Sequence, residues 1–283
     1  MRFIFFIIFF LSALPLMANT EVSTQIYDVD MGSTSEEPLI FLKSGQVVTY
    51  PYGNKALYDS LLRAIAKKQW FKFVLNDERE IISMTEIESP VAPAPEKNFK
   101  SFEQDEPFVP SILRDMDQAR SFFYQARTDA KAVSQCFNRA HIWSYEWRIK
   151  NNLYSSKAWV FFTRKFIRKY KFEWWFHVAP MVHVAIDGEV KERVMDIKYS
   201  KGPLKLKQWT NIFMRDSSDC PVVEKYSDQA DFPESGSCFV MKSSMYYYQP
   251  IDLELQEVEK TEKKKWLAPE VKHAYLEAFD VTL

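Results

Sequence analysis

The 283-residue sequence contains few glycines, few cysteines and no excess of either charge. Its six glycines, at positions 32, 45, 53, 188, 202 and 236, fit neither a G-x-G-x-x-G nor a G-x-x-x-x-G-K spacing, which argues against the two common glycine-rich phosphate-binding loops. Thirty-seven basic residues against 38 acidic residues give a net charge of −1, so we expect neither a general nucleic-acid binder nor an acidic disordered chain. No C-x-x-C, H-x-x-x-H or H-x-E signature occurs, which argues against a zinc site, and we expect no cofactor.

Only one apolar run is long, and it lies at the N-terminus. Met1-Arg2 precedes an apolar stretch from Phe3 to Ala18, which is interrupted by Pro15. One positive charge, an apolar core and a small-residue exit predict a secretory signal peptide over residues 1–18, cleaved near Ala18. The alternative is an uncleaved anchor, but the run is shorter than the roughly twenty residues of a membrane span. We therefore expect a secreted or periplasmic protein without a stable membrane anchor.

The rest of the chain divides around a proline-rich stretch. Residues 19–89 predict a small α+β domain, whose helix covers about residues 54–68. Residues 90–107 begin with three prolines in six positions, which predicts an extended linker because proline fits neither a helix interior nor a central strand. Residues 108–283 then predict the larger domain.

This larger domain contains the clearest local signals. We expect one helix from Ser111 to about Asp129, with Ser111 as its N-cap, and a second from Cys136 to Lys150. Asp187-Gly188 separates two apolar-alternating runs, 174–186 and 189–199, and Asp-Gly in that setting predicts a β-hairpin with a type I′ turn.

Cys136, His177 and Asp196 are the candidate catalytic residues. A two-residue hairpin loop places His177 and Asp196 one diagonal step apart on the same face, and a helix N-terminus stabilises a thiolate at Cys136. This pattern is typical of enzymes with a Cys-His-Asp triad. The alternative is an inert thiol and a core histidine, and His183 on the same strand is the reserve base.

Four separated motifs resemble the bacterial protein-glutaminase family. They are Cys136-Phe-Asn-Arg-Ala-His141, Trp174-Trp-Phe-His177-Val-Ala, Arg193-Val-Met-Asp196, and Gly202-Pro203 followed by Trp209. The resemblance covers about residues 108–250 and departs at Ile197, where the family has proline. It implies an α+β fold with a papain- or transglutaminase-like catalytic domain, in which Cys136 begins a helix and His177 and Asp196 lie on adjacent antiparallel strands. A small pro-segment-like α+β domain precedes it.

The resemblance also implies an activity and its partners. A protein glutaminase would deamidate glutamine side chains of protein substrates through a thioester on Cys136, with His177 as acid and base and Asp196 orienting it. Transglutaminase or cysteine peptidase activity on the same residues, and a non-enzymatic exported binding module, remain alternatives. The family's precursors imply that the N-terminal segment inhibits the enzyme, and we expect a monomer that binds no nucleic acid.

Export also explains the odd number of cysteines. In an oxidising compartment Cys220 and Cys238 are the expected disulfide pair. By chain-entropy arguments, a disulfide that closes this loop should stabilise the folded state by about 3 kcal/mol. Cys136 is then the free thiol, as a nucleophile must be.

Overall fold

The computed structural model of the chain describes residues 19–33, 36–50, 55–89, 102–103, 107–132, 134–226, 236–260 and 262–279. The predicted signal peptide, residues 1–18, and most of the predicted linker, residues 90–107, lie outside the described residues. Within the described ranges, the helices are too short or too polar to span a bilayer.

The described residues form both helices and mainly antiparallel sheets, which confirms the predicted α+β class. The strands are β1 (Thr20–Asp30), β2 (Leu39–Leu42), β3 (Val47–Thr49), β4 (Trp70–Leu75), β5 (Ile81–Ile87), β6 (Phe102–Glu103), β7 (Ile112–Leu113), β8 (Ser156–Phe162), β9 (Phe176–Ile186), β10 (Glu189–Val194), β11 (Cys238–Ser244) and β12 (Lys265–Trp266). The helices are α1 (Lys55–Ala66), α2 (Met116–Gln125), α3 (Cys136–Asn151), α4 (Arg164–Tyr170), α5 (Leu206–Thr210), α6 (Pro250–Glu259) and α7 (Ala268–Ala278).

The chain forms two compact units. Of the described residues, the first contains those within 19–40 and 48–89, and the second contains 41–47 together with those within 102–279. One five-stranded sheet has the order β3-β2-β1-β4-β5. Strand β1 was not predicted from the sequence, because only Ile26 and Val29 of its residues are buried and apolar, which is too few for a recognisable alternation.

A second sheet positions the candidate catalytic residues. Its strands have the order β10-β9-β8-β11, and β7 runs parallel to β9. Strand β8 is buried along its whole length, from Ser156 to Phe162, as expected of a central strand. Helix α3 packs against β9 and against α7, so it is buried on most of its surface.

The Asp187-Gly188 hairpin forms as predicted, but its second strand is shorter. Asp187 and Gly188 both have positive φ, at 53° and 78°, and Ile186 pairs with Glu189. Strand β10 ends at Val194, so the expectation that Asp196 lies on a strand is wrong. Pro180, opposite this point, accepts the Met195 N–H at 2.8 Å but has no N–H to continue the ladder.

The helix predicted from Ser111 begins later. Residues Ile112–Leu113 form β7 instead, and α2 starts at Met116 after the N-cap Asp115, whose carboxylate accepts the Gln118 N–H at 2.7 Å. The Ser111 hydroxyl accepts the Tyr154 N–H at 2.9 Å. Ser111 therefore fixes the chain before β7 rather than capping a helix.

One disulfide joins Cys220 to Cys238, the first residue of β11. Pro221, the residue after Cys220, accepts the Val240 N–H of β11 through its carbonyl oxygen at 2.8 Å. Cys136 is a free cysteine.

Candidate active site around Cys136, His177 and Asp196

Cys136 is the first residue of α3. The N-cap residue, Gln135, makes no side-chain capping hydrogen bond, so no side chain at the cap competes for the N–H groups of the first turn. Those N–H groups and the helix dipole favour a negative charge at this end of the helix. The Cys136 side chain is half-buried rather than enclosed. Cys136 therefore has the surroundings expected of a reactive thiolate.

His177, on β9, contacts both of the other candidate residues. Its Nε2 lies 2.7 Å from the Asp196 Oδ2, and its charge lowers the pKa of the Cys136 thiol. Because Nε2 is taken by Asp196, Nδ1 is the ring nitrogen left for the thiol. His177 is 2% exposed and Asp196 1% exposed. The structure thus brings Cys136, His177 and Asp196 together at one site.

The charges in this chain stabilise one another. Burial acts to raise the pKa of the Cys136 thiol, but the hydrogen bond and charge of His177 outweigh it and lower that pKa. Burial acts to lower the pKa of His177, but the charge and hydrogen bond of Asp196, followed by those of Cys136, raise it to about 9. Both pKa shifts consequently favour a thiolate facing an imidazolium.

Asp196 is held ionised by donors on two sides. Burial acts to raise its pKa, but His177, the Trp209 indole and the more distant charge of Arg139 together lower it. The Trp209 Nε1–H donates to Oδ2 at 2.8 Å. A buried carboxylate without such partners would be protonated instead.

Arg139 adds a positive charge near the thiol. It lies three residues after Cys136 and therefore on the same face of α3, where its charge lowers the pKa of both Cys136 and Asp196. It is 3% exposed, and its Nη1–H groups donate to the Ser134 carbonyl and, at 3.0 Å, to the Ser134 hydroxyl. Its Cζ lies 5.9 Å from the centre of the Tyr199 ring.

Aromatic side chains surround the His177 ring. The distances from the centre of His177 to the neighbouring ring centres are 4.7 Å for Phe213, 5.2 Å for Tyr199, 5.8 Å for Trp174 and 5.8 Å for Trp209. Such an enclosure restricts water at the imidazole and strengthens its hydrogen bonds to Asp196 and Cys136.

The other candidate base, His183, has different contacts. Its Nε2 lies 3.2 Å from the Ser156 hydroxyl, and it pairs across the hairpin with Glu192. His141, the last residue of the motif that begins at Cys136, is fully buried with its Nδ1 3.0 Å from the Lys157 Nζ. Of the three, His177 is the histidine that contacts Cys136.

Sequence reasoning did not assign roles to Trp209 and Arg139, although both stand in the motifs that carry the family resemblance. Arg139 could have been proposed from its spacing, because residues three apart share a helix face. Trp209 had no comparable signal: it is 13 residues beyond Asp196 in sequence, and only the folded loop brings its indole to the carboxylate.

Comparison with known proteins agrees with the predicted resemblance. Residues 112–213 match the model of a family described as Glutaminase, a range that includes Cys136, His177, Asp196 and Trp209. The chain is similar to the crystal structure of a pro-protein-glutaminase, with 16% identity, 82% of this chain and 84% of that chain covered, and a TM-score of 0.48. It is also similar to the crystal structure of the A47Q2 mutant of pro-protein-glutaminase, with 16% identity, 94% of this chain and 96% of that chain covered, and a TM-score of 0.49.

A third similar structure is the NMR structure of protein-glutaminase from Chryseobacterium proteolyticum, at 17% identity, with 50% of this chain and 77% of that chain covered and a TM-score of 0.34. The search of curated proteins gave no significant match.

Proposed function

We propose that the protein deamidates glutamine side chains in other proteins, with Cys136 as nucleophile, because residues 112–213 match the model of the glutaminase family. The family supports an enzyme that deamidates glutamine in general. The finer assignment to a cysteine mechanism is supported by one observation above all: His177 hydrogen-bonds Asp196, and its charge lowers the pKa of the Cys136 thiol.

The reaction begins with the thiolate. The Cys136 sulfur attacks the side-chain amide carbon of glutamine, and a carbon–sulfur bond forms as the carbonyl oxygen takes up negative charge. The Cys136 N–H at the start of α3 is the proposed donor to this oxygen. The tetrahedral intermediate collapses to a thioester when the carbon–nitrogen bond breaks, and His177 gives its proton to the departing ammonia.

The second half-reaction uses His177 as a base. The neutral imidazole takes a proton from water, the hydroxide adds to the thioester carbon, and the carbon–sulfur bond breaks to release glutamate. Cys136 leaves as a thiolate, and His177 keeps the proton, so the starting ion pair is restored. Asp196 stabilises the imidazolium in both halves without needing to accept a proton itself.

The proposal is tested by replacing the nucleophile. Cys136→Ala removes the attacking sulfur, so we expect ammonia release from a casein-like protein substrate to fall to background. The mass of the substrate, which the wild type should raise by about one dalton per deamidated site, should then stay constant. Circular dichroism and a thermal melt of the variant establish that it is folded.

Other outcomes would contradict the proposal. Full ammonia release by Cys136→Ala would exclude Cys136 as nucleophile. Incorporation of an added primary amine into the substrate in place of hydrolysis would indicate a transglutaminase, and new substrate N-termini would indicate a peptidase. A Cys136 that reacts with iodoacetamide no faster than an ordinary thiol would favour the binding-module alternative.

We further propose that the N-terminal region inhibits the enzyme. The support lies in residues 41–47, which form part of the second compact unit and run antiparallel to the residues just before His177. The Trp175 N–H donates to the Gly45 carbonyl at 3.1 Å and its indole N–H to the Leu42 carbonyl at 2.9 Å. Gly45 has a φ of 93° and lies against the Phe176 ring, so a larger residue would not fit easily there.

Cutting the chain between residues 90 and 107 tests this inhibition. The predicted linker is where a protease should cut most readily, so limited proteolysis of the exported full-length protein should yield an intact catalytic part. We expect ammonia release to rise as the cut proceeds and the N-terminal part dissociates. Equal activity before and after complete cleavage and separation would show that residues 19–89 are not inhibitory.

Export itself remains part of the proposal. We infer that residues 1–18 direct secretion and are removed near Ala18, so the protein acts outside the cytoplasm. The disulfide between Cys220 and Cys238 is consistent with an oxidising compartment. The proposed partners are protein substrates with accessible glutamines, and we expect the enzyme to act as a monomer.

A further inference from the structure

One carboxylate oxygen of Asp196 accepts two hydrogen bonds. Its Oδ2 lies 2.7 Å from the His177 Nε2 and 2.8 Å from the Trp209 Nε1. Asp196 is 1% exposed and Trp209 is completely buried. Bulk water therefore has almost no access to this carboxylate, and protein donors must supply its solvation.

The two donors differ in chemistry. An imidazole gains and loses a proton, whereas an indole N–H only donates and does not titrate in the physiological range. In the proposed reaction His177 alternates between its charged and neutral forms. Trp209 is thus the donor to Oδ2 whose strength does not change during the reaction.

The backbone beside Asp196 fixes the position of Trp209. Val194, the last residue of β10, exchanges both of its backbone hydrogen bonds with Leu204, at 2.8 and 3.0 Å. Helix α5 begins two residues later, and its Trp209 N–H donates to the Lys205 carbonyl at 3.0 Å. The Val194–Leu204 hydrogen bonds close a loop, and α5, which follows it, places Trp209 beside Asp196.

Aromatic packing fixes the indole ring as well. The ring centre of Trp209 lies 5.8 Å from that of His177 and 5.9 Å from that of Phe213. Phe213 in turn lies 4.7 Å from His177, so the three rings contact one another. A carboxylate bound to this rigid group has little freedom to rotate away from Nε2.

We propose that Trp209 is a positioning residue of this site, which keeps Asp196 ionised and directed at the His177 Nε2 while His177 changes its protonation state. Its effect on turnover rests on the proposed deamidase function, but its effect on the ionisation of Cys136 does not. Without the indole donor, the pKa of Asp196 should rise. As the pH is lowered, the thiolate–imidazolium pair, which depends on the charge of Asp196, should then be lost at a higher pH than in the wild type.

The test compares Trp209→Phe with Trp159→Phe. Both replacements remove an indole N–H from a fully buried tryptophan, but the Trp159 N–H donates to the Ser243 hydroxyl, at 2.8 Å, and not to Asp196. The readout is the rate at which iodoacetamide modifies Cys136 as a function of pH, since this cysteine is the free one.

For Trp209→Phe we expect the acidic limb of the alkylation profile to move up by about one pH unit, while Trp159→Phe keeps the wild-type profile. With a protein substrate, kcat at pH values on this acidic limb should fall about tenfold, because one pKa unit corresponds to a factor of ten there, and KM should change by less than about twofold. A wild-type alkylation profile in folded Trp209→Phe would overturn the proposal. Because alkylation needs no substrate, this result is obtained even if the wild-type protein proves not to be a deamidase.

A second measurement covers the case in which Trp209→Phe does not fold. In the wild-type protein, the NMR signal of the Trp209 indole proton should be shifted downfield and exchange slowly with solvent, at all pH values where the alkylation rate is high. An indole proton with an ordinary shift and fast exchange would overturn the proposed hydrogen bond, and with it the positioning role.

Discussion

His177 and His141 are both almost completely buried in the second unit, yet their pKa values shift in opposite directions. His177 is 2% exposed and its pKa is raised to about 9, whereas His141 is fully buried and its pKa is lowered well below its ordinary value. Burial lowers the pKa of both, because it disfavours the charged imidazolium. The difference must come from the neighbouring groups.

His177 faces negative groups and His141 faces positive ones. The carboxylate of Asp196 and the thiolate of Cys136 favour the charged form of His177. The charges of Lys157 and Lys263 oppose a charge on His141. Glu270 is the nearest acid to His141, with 4.0 Å between its Oε2 and the His141 Nε2, but it also binds the Lys263 Nζ at 2.7 Å.

Helix α3 therefore borders two different polar environments. Cys136 and His141 are five residues, or about 1.4 turns, apart on α3, so they point to different sides of it. At the helix N-terminus the protein favours charge, as the proposed acid–base chemistry requires. Around His141 it favours a neutral imidazole that accepts a hydrogen bond from Lys157, a structural role.

The largest expected effect comes from removing the carboxylate that distinguishes His177. Asp196→Asn keeps the size of the side chain but removes its charge, so the pKa of His177 should fall from about 9 towards that of an ordinary buried histidine. We expect ammonia release to fall by about 100- to 10,000-fold, the usual range for impaired general acid–base catalysis. Alkylation of Cys136 by iodoacetamide near about pH 6 should slow as well, because the thiolate loses its charged partner.

Asp216→Asn is the matched control for this prediction. Asp216 is hydrogen-bonded to Ser218 and Ser237, away from the charges that act on His177, so its replacement should change neither rate by more than about twofold. Unimpaired ammonia release in Asp196→Asn would contradict both the role of Asp196 and the explanation of the raised His177 pKa.

Part of the arrangement around His177 can be predicted from the sequence. The Asp187-Gly188 turn predicts the register of the hairpin, and in the structure Ile186 indeed pairs with Glu189, which places His177 and Asp196 near each other. Helix α3 was predicted from Cys136 onward, and the structure confirms its start. The roles of Cys136, His177 and Asp196 as catalytic residues stay predictions.

The rest depends on contacts that no local pattern encodes. Asp196 leaves the strand because Pro180, on the neighbouring strand, has no N–H with which to extend the ladder. This strand end can be predicted only from the pairing of the two strands. Lys157 stands in a strand of otherwise apolar and small residues, and its partners, His141 and the Tyr247 carbonyl, are 16 and 90 positions away. Long-range pairs of this kind are specified by the fold and cannot be deduced from residue spacing.

A smaller effect is expected when the positive neighbour of His141 is removed. Lys157 is fully buried, and its pKa is lowered well below its ordinary value, first by burial and then by the charge of Lys263. In Lys157→Met, the pKa of His141 should rise but remain below its ordinary value, since burial, the larger cause, is unchanged. Histidine NMR titration measures this shift, which should be smaller than the one in His177 caused by Asp196→Asn.

The same replacement should alter how stability depends on pH. The unfolded chain binds a proton at Lys157 up to its ordinary pKa of 10.5, while the folded protein releases that proton at a lower pH. Unfolding therefore takes up a proton in this window, and the free energy of unfolding of the wild type rises with pH there. Because each pKa unit corresponds to about 1.4 kcal/mol, Lys157→Met should reduce the rise between about pH 7 and pH 10 by more than about 1 kcal/mol.

Lys242→Met separates this effect from the loss of any lysine. Lys242 pairs with Glu192 at 2.7 Å and its side chain is 35% exposed, so its removal should leave the pH dependence nearly unchanged. Denaturant unfolding of the three proteins at several pH values measures the difference. If Lys157→Met and the wild type gave parallel curves, Lys157 would keep its proton in the folded protein across this pH range, and the expectation that burial lowers its pKa would be wrong.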